Sequence, residues 1–261
     1  MFIFSCILLA VFSLCLGSFC NVLIYRIPKG EQFVSGRSYC PNCKHQLMWY
    51  DNIPVLSYIL LGGKCRYCKN KISIRYPVIE IFVTIFATTV SVYKFNQLNL
   101  FEKPQLIIVP LLFSVVTAML VSLSIIDFET YEIPMELNIV IFICGIVITV
   151  LEKDYLNHII GMICISGFLF LTYIITKGSG IGFGDVKLMF ALGLVIGWKQ
   201  IIVGFFIGCV LAILIHTIRM KISKESHMLA FGPYLSLGSY ISIFIGDYAI
   251  QCYINFLKSL I

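Results

Sequence analysis

Charge is scarce in this 261-residue chain. Asp, Glu, Lys and Arg together make up 12% of it, against roughly 25% in an ordinary soluble domain. That shortage excludes disorder, which needs high charge and low hydrophobicity. No collagen period or sustained heptad is present. Apolar and polar residues do not alternate over strand-length segments, so a β-barrel is excluded as well. Most of the eleven cysteines lie inside apolar runs, which excludes a secreted disulfide scaffold.

What is abundant is apolar surface: 59% of residues are hydrophobic and the mean hydropathy is +0.96. A 29.5 kDa globule cannot bury that much, so the composition implies an all-α polytopic membrane protein. A hydrocarbon core about 30 Å thick takes about 20 helical residues. Apolar runs at 2–25, 77–93, 105–126, 134–151, 156–176, 185–198, 201–218 and 229–257 predict eight transmembrane helices. The run 185–198 is short for a span. The first run has no basic residue before Arg26 and no small-residue cleavage site, so it reads as a retained helix rather than a signal peptide. The organisation expected is a first helix (1–25), a small loop domain (26–76) and a seven-helix core (77–261).

The net charge of +6 does not point to nucleic acid here; in a membrane protein the placement of basic residues matters more than their sum. With the N-terminus outside, the inner segments hold fourteen: Arg26, Lys29, Arg37, Lys44, Lys64, Arg66, Lys69, Lys71, Arg75, Lys177, Lys187, Arg219, Lys221 and Lys224. The outer segments hold five: Lys94, Lys103, Lys153, Lys199 and Lys258. This asymmetry puts residues 26–75 in the cytoplasm, and counting 185–198 as a span preserves it.

Segment 26–75 carries Cys40-Pro-Asn-Cys43 and Cys65-Arg-Tyr-Cys68, 21 residues apart. Each CxxC presents two thiolates to one ion, and two such knuckles complete a closed tetrahedral shell, which implies structural zinc. The segment has little apolar content, and the metal would supply folding free energy. Two disulfides or a redox pair are the alternatives; a cytoplasmic location argues against the first, and the second needs only one CxxC. The other seven cysteines (Cys6, Cys15, Cys20, Cys144, Cys164, Cys209 and Cys252) are expected to be packing residues.

Carboxylates at membrane depth are functional candidates. Asp127 ends the apolar run 105–126, and Asp185 opens a run within Gly182-Phe-Gly184-Asp185. The orientation from basic residues brings both to the cytoplasmic face. Two carboxylates in a partly dry site share a proton. The ionised member can then activate water while the protonated member polarises a carbonyl. Gly182 and Gly184 would let a substrate backbone approach, and Pro134 is expected to restart a helix after a short loop. Singly, Asp185 could cap its helix and Asp127 could sit in the headgroup region. Glu80 could pair with Arg75 or Arg26, or bind a substrate amine. Asp247, His158 and His216 are expected to be structural. No nucleophile elbow, HExxH or Walker loop appears.

The blocks Gly17-Ser-Phe-Cys-Asn-Val-Leu-Ile-Tyr-Arg-Ile-Pro28, Arg37-Ser-Tyr-Cys-Pro-Asn-Cys43, Trp49-Tyr-Asp-Asn-Ile-Pro54, Cys65-Arg-Tyr-Cys68, Ile72-Ser-Ile-Arg-Tyr-Pro77 with Glu80, Gly182-Phe-Gly-Asp-Val-Lys187 and Phe231-Gly-Pro-Tyr234 together resemble the type IV prepilin peptidases. The resemblance implies a GxGD aspartyl protease of the bacterial inner membrane whose catalytic aspartates map onto Asp127 and Asp185, with Gly182, Gly184 and Lys187 in the active-site loop. It implies prepilin or pseudopilin substrates with a basic leader, a glycine before the cut and a hydrophobic helix after it. It also implies S-adenosylmethionine-dependent N-methylation of the new N-terminus, an activity linked to forms with the large cysteine loop. One departure is Met135, where members often have aspartate after Ile133-Pro134; Glu132 and Glu136 are the neighbouring acids. A proton-coupled transporter would instead place its acids at mid-membrane within a repeat, and a zinc-bearing scaffold would leave Gly182–Asp185 without purpose. A presenilin-like protease would share GxGD but not the cysteine loop.

Overall fold

Long apolar runs with proline confined to first turns build this chain, because proline there removes no intrahelical hydrogen bond. A computed structural model describes residues 2–34, 36–100, 104–223 and 229–260. Its long helices are α1 (Phe2–Arg26), α3 (Arg75–Gln97), α4 (Ile108–Thr130), α5 (Met135–Glu152), α6 (Tyr155–Ile175), α7 (Phe183–Ser223) and α8 (Gly232–Leu260); a short α2 spans Leu56–Leu60. Pro77, Pro110 and Pro233 fall in first turns, and Pro134 is the extended residue immediately before α5, as its sequence position predicts. No strand exceeds an isolated bridge among the described residues. Lys103 and Lys224, which contribute to the charge asymmetry, lie outside those residues.

Each of the eight expected apolar runs lies mainly in helix, with 105–107 and 229–231 outside α4 and α8, but the number of separate helices differs. Six of the described helices are long and apolar enough to cross a membrane. Serines and Asp247 dilute α8, and the runs 185–198 and 201–218 form one element, α7. That element is broken at Gly197, whose φ of 81° and ψ of 172° are not helical. Its two arms fold back on each other. Gly184 in the first arm and Gly232 at the start of α8 both abut the Ile133 side chain, while Gly208 in the second arm abuts the Tyr234 carbonyl. A straight helix would separate Gly184 from Gly208 by about 36 Å, too far for both to reach this one end. Asn157 occupies the space a Gly197 side chain would need and accepts the Trp198 N–H at 3.3 Å.

The chain divides into two compact units, residues 1–122 and 123–261, with the division inside α4. In the first, α1 packs on α3 so closely that a Cβ on Gly17 would lie 2.9 Å from the Glu80 backbone. Ser91 bonds both Pro110 O (2.7 Å) and the Ser114 hydroxyl, satisfying polar groups between apolar helices. In the second, Gly161 of α6 and Gly193 of α7 meet backbone to backbone, as do Gly204 and Gly208 of α7 with α8.

Gly197→Ala should destabilise the protein by about 1–3 kcal/mol, since it forces a side chain into positive φ and against Asn157. Thermal unfolding in detergent checks this; an unchanged midpoint would show that the arms do not turn there.

Candidate functional site

Two carboxylates converge in the second unit. Asp127 lies in the last turn of α4 and Asp185 in the first turn of α7; they are only 4% and 8% exposed. The Gly232 N–H, at the start of α8, donates to Asp127 Oδ2 at 2.9 Å. A Cβ on Gly232 would come within 2.7 Å of that oxygen, and one on Gly184 within 2.9 Å of Ile133 Cβ. Gly182 sits over Asp185 Oδ2, and the Asp185 N–H bonds Gly182 O at 3.2 Å. The two carboxylates are near enough to interact electrostatically. Ile133 touches both Gly184 and Gly232 and so ties the two helix starts together beside the α4 end.

Of the residues singled out from sequence, Asp127, Asp185, Gly182 and Gly184 are thus gathered in one place. Lys187, two residues beyond Asp185, stacks over Phe183 at 4.7 Å and lines an apolar cleft of about 510 Å³ among α5, α6 and α7. Met135 lines the same cleft, while Glu132 and Glu136 are exposed. Glu80 belongs to the first unit, where Oε2 accepts the Val55 N–H at 2.7 Å. Asp247 accepts a hydrogen bond from Gln200 (2.9 Å). Buried His158 donates from Nδ1 to Leu194 O (2.8 Å) and holds Glu152 through Nε2 (3.3 Å). Sequence reasoning missed the Gly232 N–H as the Asp127 partner. The only signal for it was the Phe231-Gly-Pro-Tyr234 block, whose proline forces a helix start.

The cysteine loop is two copies of one knuckle. Cys40 N bonds His45 O and Lys44 N bonds Cys40 O; Cys65 N bonds Asn70 O and Lys69 N bonds Cys65 O. Lys44 and Lys69 both take positive φ, 58° and 61°, and bridges Tyr39–Gln46 and Lys64–Lys71 close the two turns identically. The four sulfurs lie within 4.8 Å of one another, with Cys40 Sγ and Cys68 Sγ at 3.9 Å. A tetrahedral ion with metal–sulfur bonds of about 2.3 Å sets sulfurs about 3.8 Å apart, so the cluster fits a four-thiolate metal. The sulfurs already feel this crowding. At Cys40 burial opposes ionisation, but the Cys43 and Asn42 N–H groups and two neighbouring sulfurs outweigh it and bring the thiol down to about 7. At Cys68 the Asn70 N–H favours the thiolate, yet desolvation and the three other sulfurs prevail and push it up to about 11. Four thiolates together need a cation.

Comparisons with known proteins agree with this geometry. Residues 11–95 match the family model described as the bacterial peptidase A24 N-terminal domain, and residues 114–217 match the type IV leader peptidase family. The chain is 30% identical to a prepilin leader peptidase/N-methyltransferase of Vibrio cholerae over 91% of its own length and 95% of the relative's. It is 29% identical to the Neisseria gonorrhoeae protein of that name, over 94% and 92%, and 27% identical to the Pseudomonas putida one, over 92% and 90%. No solved structure gives a significant match. With its ordered motif blocks, its multi-pass helical fold and this coverage, the chain belongs to the type IV leader peptidase family.

Proposed function

We propose that the chain is a membrane aspartyl endopeptidase that removes the basic leader of prepilins and pseudopilins at the cytoplasmic face of the bacterial inner membrane, and that it then N-methylates the new N-terminus. The observation that carries the peptidase reading is the convergence of buried Asp127 and Asp185 at a glycine-lined site. One carboxylate takes a proton from water, which attacks the scissile carbonyl carbon. The other, protonated, donates to the carbonyl oxygen. Proton return to the leaving nitrogen breaks the C–N bond. The Gly232 N–H fixes Asp127, and Gly182, Gly184 and Gly232 leave room for an extended substrate backbone. The basic leader stays on the side where the sequence concentrates its own basic residues. In the loop, Cys40, Cys43, Cys65 and Cys68 would hold zinc, whose closed shell supplies folding free energy rather than chemistry.

Asp127→Asn and Asp185→Asn should each lower leader cleavage by at least about 10²–10⁴-fold, followed by gel shift in membranes. The thermal midpoint should hold or rise, because a neutral amide removes a buried charge. Cleavage surviving either change contradicts the dyad. Separately, Cys40→Ser or Cys65→Ser should abolish zinc content, measured by elemental analysis of the purified protein, and open residues 26–75 to limited proteolysis. Undiminished zinc in both would refute the four-sulfur site.

A further inference from the structure

One buried polar side chain in the second unit has no partner. Asn138, in the first turn of α5, is 4% exposed, and neither its Oδ1 nor its Nδ2 meets a hydrogen-bonding group among the described residues. A buried amide left this way costs free energy. Asn138 lines the apolar cleft of about 510 Å³ among α5, α6 and α7, a volume within the roughly 300–1,000 Å³ of ligand sites.

The cleft starts beside the dyad. Val186 and Lys187, the two residues after Asp185, line it, and so does Met135, two residues after the Ile133 that touches Gly184 and Gly232. From there the cleft follows the helices. Phe142 lies seven residues beyond Met135 along α5, which is about 10 Å or two turns. Phe142 stacks on Phe190 of α7 at 5.6 Å, and Phe170 of α6 meets Phe183 of α7 at 6.4 Å, so paired rings brace the walls. Met135, Ile163, Phe170 and Phe183 are exposed, which leaves the cleft open at the side, where a helix already in the membrane can enter.

We propose that this cleft receives the first two turns of the substrate's apolar helix, the part that follows the scissile bond, and that Asn138 is a positioning residue that bonds its backbone. The inference rests on the peptidase reading above. The substrate chain is continuous across the cut. Once its scissile carbonyl reaches Asp127 and Asp185, its next residues must follow an apolar surface that adjoins the dyad, and this cleft adjoins it. The first four N–H groups of a helix have no partner within it, and in apolar surroundings each must be met by another group. Asn138 Oδ1 accepts one of them, and Nδ2 donates to a carbonyl of the extended residues beside the cut. The amide is unpaired in the protein alone because its partners belong to the substrate. A lipid acyl tail would fill the same space but offers nothing to either end of the amide.

Gly167 of α6 allows a test that leaves the fold intact. It lines the cleft, and a Cβ there would meet only Ile163 Cγ2, at 3.7 Å, an ordinary contact. Gly167→Leu therefore fills the cleft, and the helix should hold or gain stability because glycine is a poor helix former. With the full-length protein in membranes, Gly167→Leu and Asn138→Leu should each raise KM for prepilin about tenfold or more while kcat stays within about threefold. The thermal midpoint in detergent should not fall, and Asn138→Gln should recover part of the lost affinity. A wild-type KM in Gly167→Leu overturns the cleft as the subsite; a wild-type KM in Asn138→Leu overturns the role of Asn138. Independently, Asp185→Asn protein can be illuminated with a prepilin carrying benzoylphenylalanine in the first two turns after the cut. Cross-links should fall within residues 135–142, 163–170 or 183–191. Cross-links found only elsewhere, or a phospholipid photoprobe that labels these segments and is not displaced by prepilin, overturn the proposal. A wild-type protein that cleaves prepilin while its substrate cross-links elsewhere defeats this inference alone; one that cleaves no prepilin defeats the functional reading too.

Discussion

Placing two carboxylates in a nearly uncharged interior is the constraint on which the second unit depends. Each charge there loses water, and the hydrogen bond that meets Asp127 comes from a backbone N–H, that of Gly232. Such an arrangement is poor for stability and good for chemistry: two acids that share a proton provide a base and an acid at once. Helices α4, α7 and α8 end or begin at this point, where free backbone N–H groups are available and polar side chains need not interrupt a helical ladder.

Holding three helix ends around two aspartates requires backbones to come closer than side chains normally permit. Glycine supplies this at Gly184 and Gly232 beside the acids, and at Gly161 and Gly193 where α6 meets the first arm of α7. Small residues serve helix contacts in lipid, where packing replaces the hydrophobic drive. Gly197 makes the remaining adjustment by reversing α7, so that its second arm and α8 return to the end where Asp185 begins.

Much of this was legible in the sequence because apolar run length and proline position are local signals. Pro134 marked the start of α5, and the gap between runs 185–198 and 201–218 marked the Gly197 reversal, although the helical ladder nearly bridges it. The ends were less legible. α4 runs past its apolar stretch to Thr130, whose hydroxyl bonds back to Ile126 O. α3 extends from 77–93 to Arg75–Gln97, since Pro77 fits a first turn and polar Asn96 and Gln97 continue the helix. The aspartates stood out because each lies at the end of an apolar run, Asp127 closing 105–126 and Asp185 opening 185–198. Gly232 as a donor to Asp127, and Val55 as a donor to Glu80, depend on contacts between residues 105 and 25 positions apart; the Phe231-Gly-Pro-Tyr234 block marks the first only as a helix start. The repeated knuckle was visible as spacing alone, since CxxC fixes its own turn.

The claim that two carboxylates act as one acid–base pair is tested most directly by the pH dependence of kcat/KM for leader cleavage. A base that must be ionised and an acid that must be protonated give a bell-shaped profile, its two limbs belonging to the pair rather than to either residue. The account predicts that bell. A profile with a single limb, rising to a plateau that persists to high pH, would mean that one carboxylate works alone and would contradict it.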